Sequence, residues 1–251
     1  MTVIAVFADP PRPGLVLPEL AESSPLSAEE ATELYAASLK DTFRAAERSG
    51  GELLVNYRPD DLLADEHVGE ESAEAQLRAL AADALADPGE ARFEVQAGST
   101  FAARAGNTVT HLLDREEVQS AAVVPGTAPM LTRKEIDSAA MKLRRNEVVL
   151  GPSERGRVYF AGFTDTVDFE GAYATPAIET LTNRGVDAGH DVEYLDRETG
   201  IETGEDLRSL VPTLNARVAA GRIVPEHTAT LLREWGLRVV ERDGEPTLVR
   251  E

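Results

Sequence analysis

Ala121-Ala122-Val123-Val124-Pro125-Gly126-Thr127-Ala128-Pro129 reads as a short apolar strand running into a small-residue loop. Four consecutive apolar residues leave no polar face, as in a strand buried on both sides of a sheet. Proline then stops the ladder, and glycine lets the backbone turn sharply. Val3 to Phe7 repeats the pattern and ends in Asp9-Pro10-Pro11-Arg12-Pro13-Gly14. Two buried strands that each end in a Pro/Gly loop suggest an α/β sheet. In such sheets ligands bind beyond the carboxyl ends of the strands.

The pattern extends outward from these two strands. Ser27-Ala28-Glu29-Glu30 is a capping box, and the helix after it keeps Leu34, Tyr35, Leu39 and Phe43 on one face until Gly50-Gly51. Further strands are expected at Leu53–Val55, Arg92–Val95, Glu147–Leu150, Val158–Phe163 and Asp191–Leu195. Helices are expected at Glu70–Ala86, Phe101–Leu113, from Thr132 to about Arg145, and after Thr175-Pro176. Only a loop separates Glu147–Leu150 from Val158–Phe163, so a mixed sheet with at least one antiparallel strand is expected. Beyond about Leu210 the pattern becomes two short helices, Pro212–Ala220 and Pro225–Trp235. A hairpin turning at Asp243-Gly244 follows. The expected organisation is residues 1–208 as a main domain and 209–251 as a small appendage packed on it.

Composition excludes several classes. The 251 residues are 42% apolar, enough for a core, and no run reaches the ~20 apolar residues that span a bilayer. No cysteine is present, which removes disulfides, thiolate catalysis and cysteine-ligated zinc. The amino terminus enters a strand without a signal-like segment, so a cytoplasmic protein is expected. The net charge is −20, from 45 acidic and 25 basic residues of which only three are lysine. Such a surface suits a cytoplasm holding molar salt, where the Debye length is about 3 Å and self-repulsion is screened. A basic partner is the other reading, though the acids are spread along the chain. Either way, nucleic acid and anionic membranes are disfavoured. His67, His111, His190 and His227 show no metal-ligand spacing, and no phosphate-loop, dinucleotide or nucleophile-elbow motif occurs.

A family resemblance is carried by several segments in order. Val3 to Ala8 followed by Pro11-Arg12-Pro13-Gly14-Leu15-Val16, Glu33–Ala36 to Asp41-Thr42, and Gln96-Ala97-Gly98 with Arg104 are three of them. Gly126–Pro129, Val148–Pro152, Tyr159 with Gly162, and Gly200–Leu207 complete the set. Together they resemble the glycosyltransferase-like proteins known as radical-SAM/selenodomain-associated transferases, of the nucleotide-diphospho-sugar transferase superfamily. The resemblance implies a GT-A-like mixed, mostly parallel sheet with helices on both faces; with the composition, it implies a divergent haloarchaeal member. It also implies a ligand site at Phe7, Ala8, Arg12, Pro13, Gly14, Gly98, Arg104, Gly126, Thr127, Arg155 and Arg157, with Glu202 as the one remaining metal-ligand candidate.

The departures from the family pattern fall on its chemistry. Its basic run after the first glycine is Leu17-Pro18-Glu19 here, and the aspartate of its G-S-D loop is Ala128. Arg155-Gly156-Arg157 replaces a D-G-G loop, and Gly200 replaces the first aspartate of D-x-D. Alanine and glycine side chains cannot ligate Mg²⁺ or Mn²⁺. One expectation is therefore a scaffold that has lost metal-dependent transfer, holds no cofactor, and binds a ligand or partner. Mg²⁺ or Mn²⁺ enters only if Glu202 still ligates. The alternative is an active transferase on a nucleotide-sugar or phosphorylated small molecule, with arginines in place of the metal. A third class, an interaction protein using the C-terminal helices, would anchor through Trp235.

Overall fold

The computed structural model describes residues 1–250. In chain order the strands are β1 (Thr2–Ala8), β2 (Glu52–Tyr57), β3 (Arg92–Val95), β4 (Ser120–Pro125), β5 (Val148–Pro152), β6 (Val158–Phe163), β7 (Val192–Tyr194), β8 (Leu237–Arg242) and β9 (Glu245–Arg250). The helices are α1 (Pro18–Ser23), α2 (Ala28–Glu47), α3 (Ala73–Ala84), α4 (Phe101–Thr110), α5 (Arg133–Lys142), α6 (Ala177–Asp187), α7 (Gly204–Ala219) and α8 (Glu226–Glu234).

Seven strands form one sheet in the order β3-β2-β1-β4-β6-β5-β7. β6 runs antiparallel to both β4 and β5, and every other pair is parallel. The antiparallel strand expected from the short β5–β6 connection is β6. Side-chain alternation divides the sheet between two cores. Ile4, Val6, Val55, Ala122 and Val124 face α2, α3, α5 and α7, while Val3, Ala5, Leu54, Ala121 and Val123 face α4 and α6. Helices therefore cover both faces, and the strands read as continuous apolar runs for that reason.

Local chemistry sets the helix ends. Ser27 accepts from the Glu30 amide at 3.2 Å and the Glu30 carboxylate accepts from the Ser27 amide at 2.9 Å, so the α2 capping box forms. Helix α4 passes into a π-helical turn, His111–Arg115. Two sequence expectations need correction. Pro212 does not start a helix but lies inside α7, which begins at Gly204 because Thr203 and Asp206 cap it reciprocally. The short helix α1 was not foreseen; Pro18 at its first position fixes φ for a helical start.

The expected 208/209 division falls within α7, whose Leu207, Leu210, Val211 and Leu214 are buried in one core together with Leu232 and Leu237. Asp41 of α2 holds the C-terminal segment. Its carboxylate accepts from the His227 amide at 3.0 Å and the Thr228 amide at 2.8 Å, capping α8. The β8–β9 hairpin turns at Asp243 (φ 53°) and Gly244 (φ 82°), the positive-φ pair expected of a two-residue turn. Trp235 is half-buried against the core, with the Arg250 guanidinium 5.9 Å from its ring centroid.

Candidate functional site

The loops after β1, β2, β3, β4 and β5 gather at one end of the sheet. Phe7 and Ala8 are buried as the last turns of the β1 ladder, and Phe7 packs against Phe101 at 5.3 Å. Gly126 is required by a close approach: a Cβ there would lie 2.7 Å from the Tyr35 hydroxyl and 2.8 Å from Leu39 Cδ2. Ser38 donates to the Gly126 carbonyl at 2.7 Å, which ties the β4 loop to α2.

The side chains of the expected site fall into three groups. The first is centred on Arg12, which is buried. It donates to Asp60 at 2.7 Å, to the His67 carbonyl at 2.6 Å, to the Glu71 carbonyl at 2.9 Å and to Gln76 at 3.1 Å. These bonds spend its donors on fastening the segment between β2 and α3. Next to it Pro13 is exposed, and Gly14 takes φ +77°.

The second group stands over β2 and β3. Gln96 donates from its side chain to the Asn56 carbonyl at 2.7 Å, and Asn107 of α4 donates to the Ala97 carbonyl at 2.7 Å. Gly98 has φ +133°, and a Cβ there would come within 3.0 Å of the α4 backbone at Ala103 and Arg104. The Arg104 Nε is buried without a hydrogen-bond partner among the described residues. Burial, and then the neighbouring Arg58, push its guanidinium below the usual arginine range, against the pull of Asp9. Between α4 and residues 167–174 lies a cavity of about 750 Å³, walled by Phe101, Phe169 and Tyr173.

The third group lies where the family resemblance places metal-ligand candidates. Arg157, 21% exposed, bonds the Glu202 carboxylate through one terminal nitrogen at 2.5 Å. Through the other it bonds Asp206 at 2.5 Å. Asp206 is fully buried, and Thr127 donates to the second oxygen of Glu202 at 2.9 Å. Burial pulls the Arg157 guanidinium down, but Asp206 and Glu202 outweigh it and the net direction is upward. Ala128 is buried among the α2-face core residues. A Cβ on Gly200 would lie 3.2 Å from the Thr127 carbonyl oxygen. Arg155, exposed with φ 57°, reaches only Glu19 among the described residues, at 4.0 Å.

This donor set does not fit a divalent cation. Two of its positions, Ala128 and Gly200, carry no side-chain ligand atom, and the two remaining carboxylates already share a guanidinium. Among the described residues one other group could hold a metal: the side chains of Glu94, His111 and Glu116 bring ligand atoms within 4.8 Å of one another. Arg92 sits among them, bonded to Glu94 and, at 2.8 Å, to Glu116. The spacing of His111 in the sequence gave no sign of this cluster, because its acids come from β3 and from the turn after α4. Asp206 was likewise missed as a site residue, although the Thr203–Asp206 capping spacing was available as a signal.

The architecture defines a nucleotide-diphospho-sugar transferase fold. A presumed nucleotide-diphospho-sugar transferase from Desulfovibrio desulfuricans superposes with a TM-score of 0.75 at 20% identity, over 93% of this chain and 94% of that one. A cytidylyltransferase from Leptospira borgpetersenii matches with a TM-score of 0.51 at 11% identity, covering 93% and 94%. The 4-diphosphocytidyl-2C-methyl-D-erythritol synthase of Anaerococcus prevotii matches with a TM-score of 0.50 at 14% identity, covering 86% and 96%. Residues 38–175, more than half of the chain, match the model of a family described as uncharacterized protein conserved in bacteria (DUF2064), and the chain belongs to that family. No curated protein matches the sequence. No helix among the described residues is long and apolar enough to cross a membrane.

Proposed function

We propose that this chain keeps the transferase fold without its metal-dependent chemistry, and acts by binding a nucleotide, nucleotide-sugar or phosphorylated small molecule. The observation that carries this reading is Arg157, held at 2.5 Å by both Glu202 and Asp206. A guanidinium forked between two carboxylates supplies the countercharge that a divalent ion would otherwise supply. Metal entry would have to displace that fork, and Ala128 and Gly200 contribute nothing to compensate. The acidic, lysine-poor surface supports action in a salt-rich cytoplasm.

One observation favours an active transferase that uses arginine in place of metal. Arg155 is exposed at the same loop, and its one ion pair among the described residues, with Glu19, is 4.0 Å long. Its guanidinium is therefore available to a phosphate, whereas that of Arg157 is committed. Calorimetric titration of nucleotides and nucleotide-sugars in molar KCl, with and without Mn²⁺, tests the proposal. Binding that is unchanged by Mn²⁺ and gives no turnover is expected. Binding that requires Mn²⁺, or turnover of a nucleotide-sugar, would overturn it.

A further inference from the structure

We infer that Arg104 is the anchor for an oxyanion of the bound ligand, a phosphate or a carboxylate, at the carboxyl ends of β1 and β2. The inference rests on the binding role proposed above and names the chemistry that the site selects. The chain carries 45 acidic residues against 25 basic ones, so carboxylate partners for arginine are abundant. Arg104 nevertheless has no hydrogen bond or ion pair to any described residue, and its Nε is buried. The carboxylate whose charge acts on it, Asp9, is already engaged by Arg58 Nε at 2.7 Å. Arg58, Arg104 and Asp9 together therefore leave one uncompensated positive charge beside the strand ends.

A guanidinium whose inner edge is desolvated and unpaired is costly to maintain. The ring of Phe101, 5.9 Å from the guanidinium carbon, lies at the outer limit of a cation–π contact and does not replace a counter-ion. Because Nε is shut off from solvent, the exposure that Arg104 retains lies elsewhere on the side chain. The terminal nitrogens are the donors left for a ligand, and planar oxyanions match them. The surroundings hold the arginine in place. Gly98 packs its backbone onto the α4 backbone at Arg104, and Asn107, one turn further along, is tied to the Ala97 carbonyl.

The test is titration of the full chain with inorganic phosphate and, separately, with acetate, following the arginine Nε–H signals by NMR. The wild-type chain is expected to shift the Arg104 signal saturably with at least one of the two ions, and the stronger response identifies the source. Arg104→Met is expected to weaken that binding about tenfold or more. Asp9→Asn, which releases Arg58, is expected to strengthen it. Wild-type binding that Arg104→Met leaves unchanged would overturn the Arg104 assignment while leaving the binding role intact. No saturable shift in the wild-type chain, together with no nucleotide binding in calorimetry, would overturn both.

Discussion

Replacing Arg157 by alanine isolates the feature on which the functional reading depends. The substitution leaves Asp206 fully buried with no countercharge, and Glu202 37% exposed. Breaking a buried ion pair by removing one partner costs about 3–5 kcal/mol. Glu202 is exposed enough for solvent to screen it, so it adds little. Asp206 also keeps its bond from the Thr203 amide at 2.9 Å, which places the cost at the lower end, about 3 kcal/mol. For a chain of this size 1 kcal/mol moves the melting temperature by roughly 2–4 °C, so a fall of about 6–12 °C is expected. Arg157→Lys keeps the charge but lacks the fork that spans both carboxylates, and is expected to recover about half of the loss. Scanning calorimetry in molar KCl, paired with urea unfolding, reads both variants. An Arg157→Ala protein that melts with the wild type would refute the reasoning, because the two carboxylates would then need no internal cation.

Three further outcomes follow from the same geometry. Gly126→Ala places a methyl 2.7 Å from the Tyr35 hydroxyl, and overpacking of that kind is expected to cost about 1–3 kcal/mol in urea unfolding. Hydrogen bonds from Arg92 hold the Glu116 carboxyl below its ordinary 4.5, against a smaller opposing push from burial. A depressed acid stabilises the fold above its ordinary pKa, and the contribution is lost as pH falls through the depressed value. Arg92→Met should therefore flatten the loss of stability seen below about pH 4.5 in acid titrations followed by circular dichroism. With a net charge of −20, melting temperature should rise as KCl is raised from about 0.01 M, where the Debye length is about 30 Å, to about 1 M, where it is about 3 Å. A flat salt profile would remove the argument for salt adaptation.

The pattern of β1, β2, β4 and β5 was legible because these strands are buried on both faces and read as apolar runs, whereas the edge strands β3 and β7 are only partly buried. The antiparallel β6 was legible because five residues between β5 and β6 are too few for a crossover. What could not be read were partners far apart in sequence. Arg12 looks like a phosphate-contacting residue in a Pro/Gly loop, but its partners Asp60, His67, Glu71 and Gln76 arrive through a long excursion between β2 and α3. Arg157 and Arg155 look alike in sequence, two places apart. The fold commits one to Glu202 and Asp206 and leaves the other in solvent. Ala128 and Gly200, by contrast, can be read without neighbours in one respect, since neither residue type carries a side-chain ligand atom. Arg104 stood out in sequence only by resemblance; its unpaired guanidinium depends on Asp9 having been taken by Arg58.

The most direct measurement of the central claim is an electron paramagnetic resonance titration of Mn²⁺ into the wild-type chain in molar KCl. If Arg157 occupies the place of the metal, the free six-line Mn²⁺ signal at equimolar protein should be the same for the wild type and for Glu202→Gln. A stoichiometric loss of that signal, abolished by Glu202→Gln, would contradict the account.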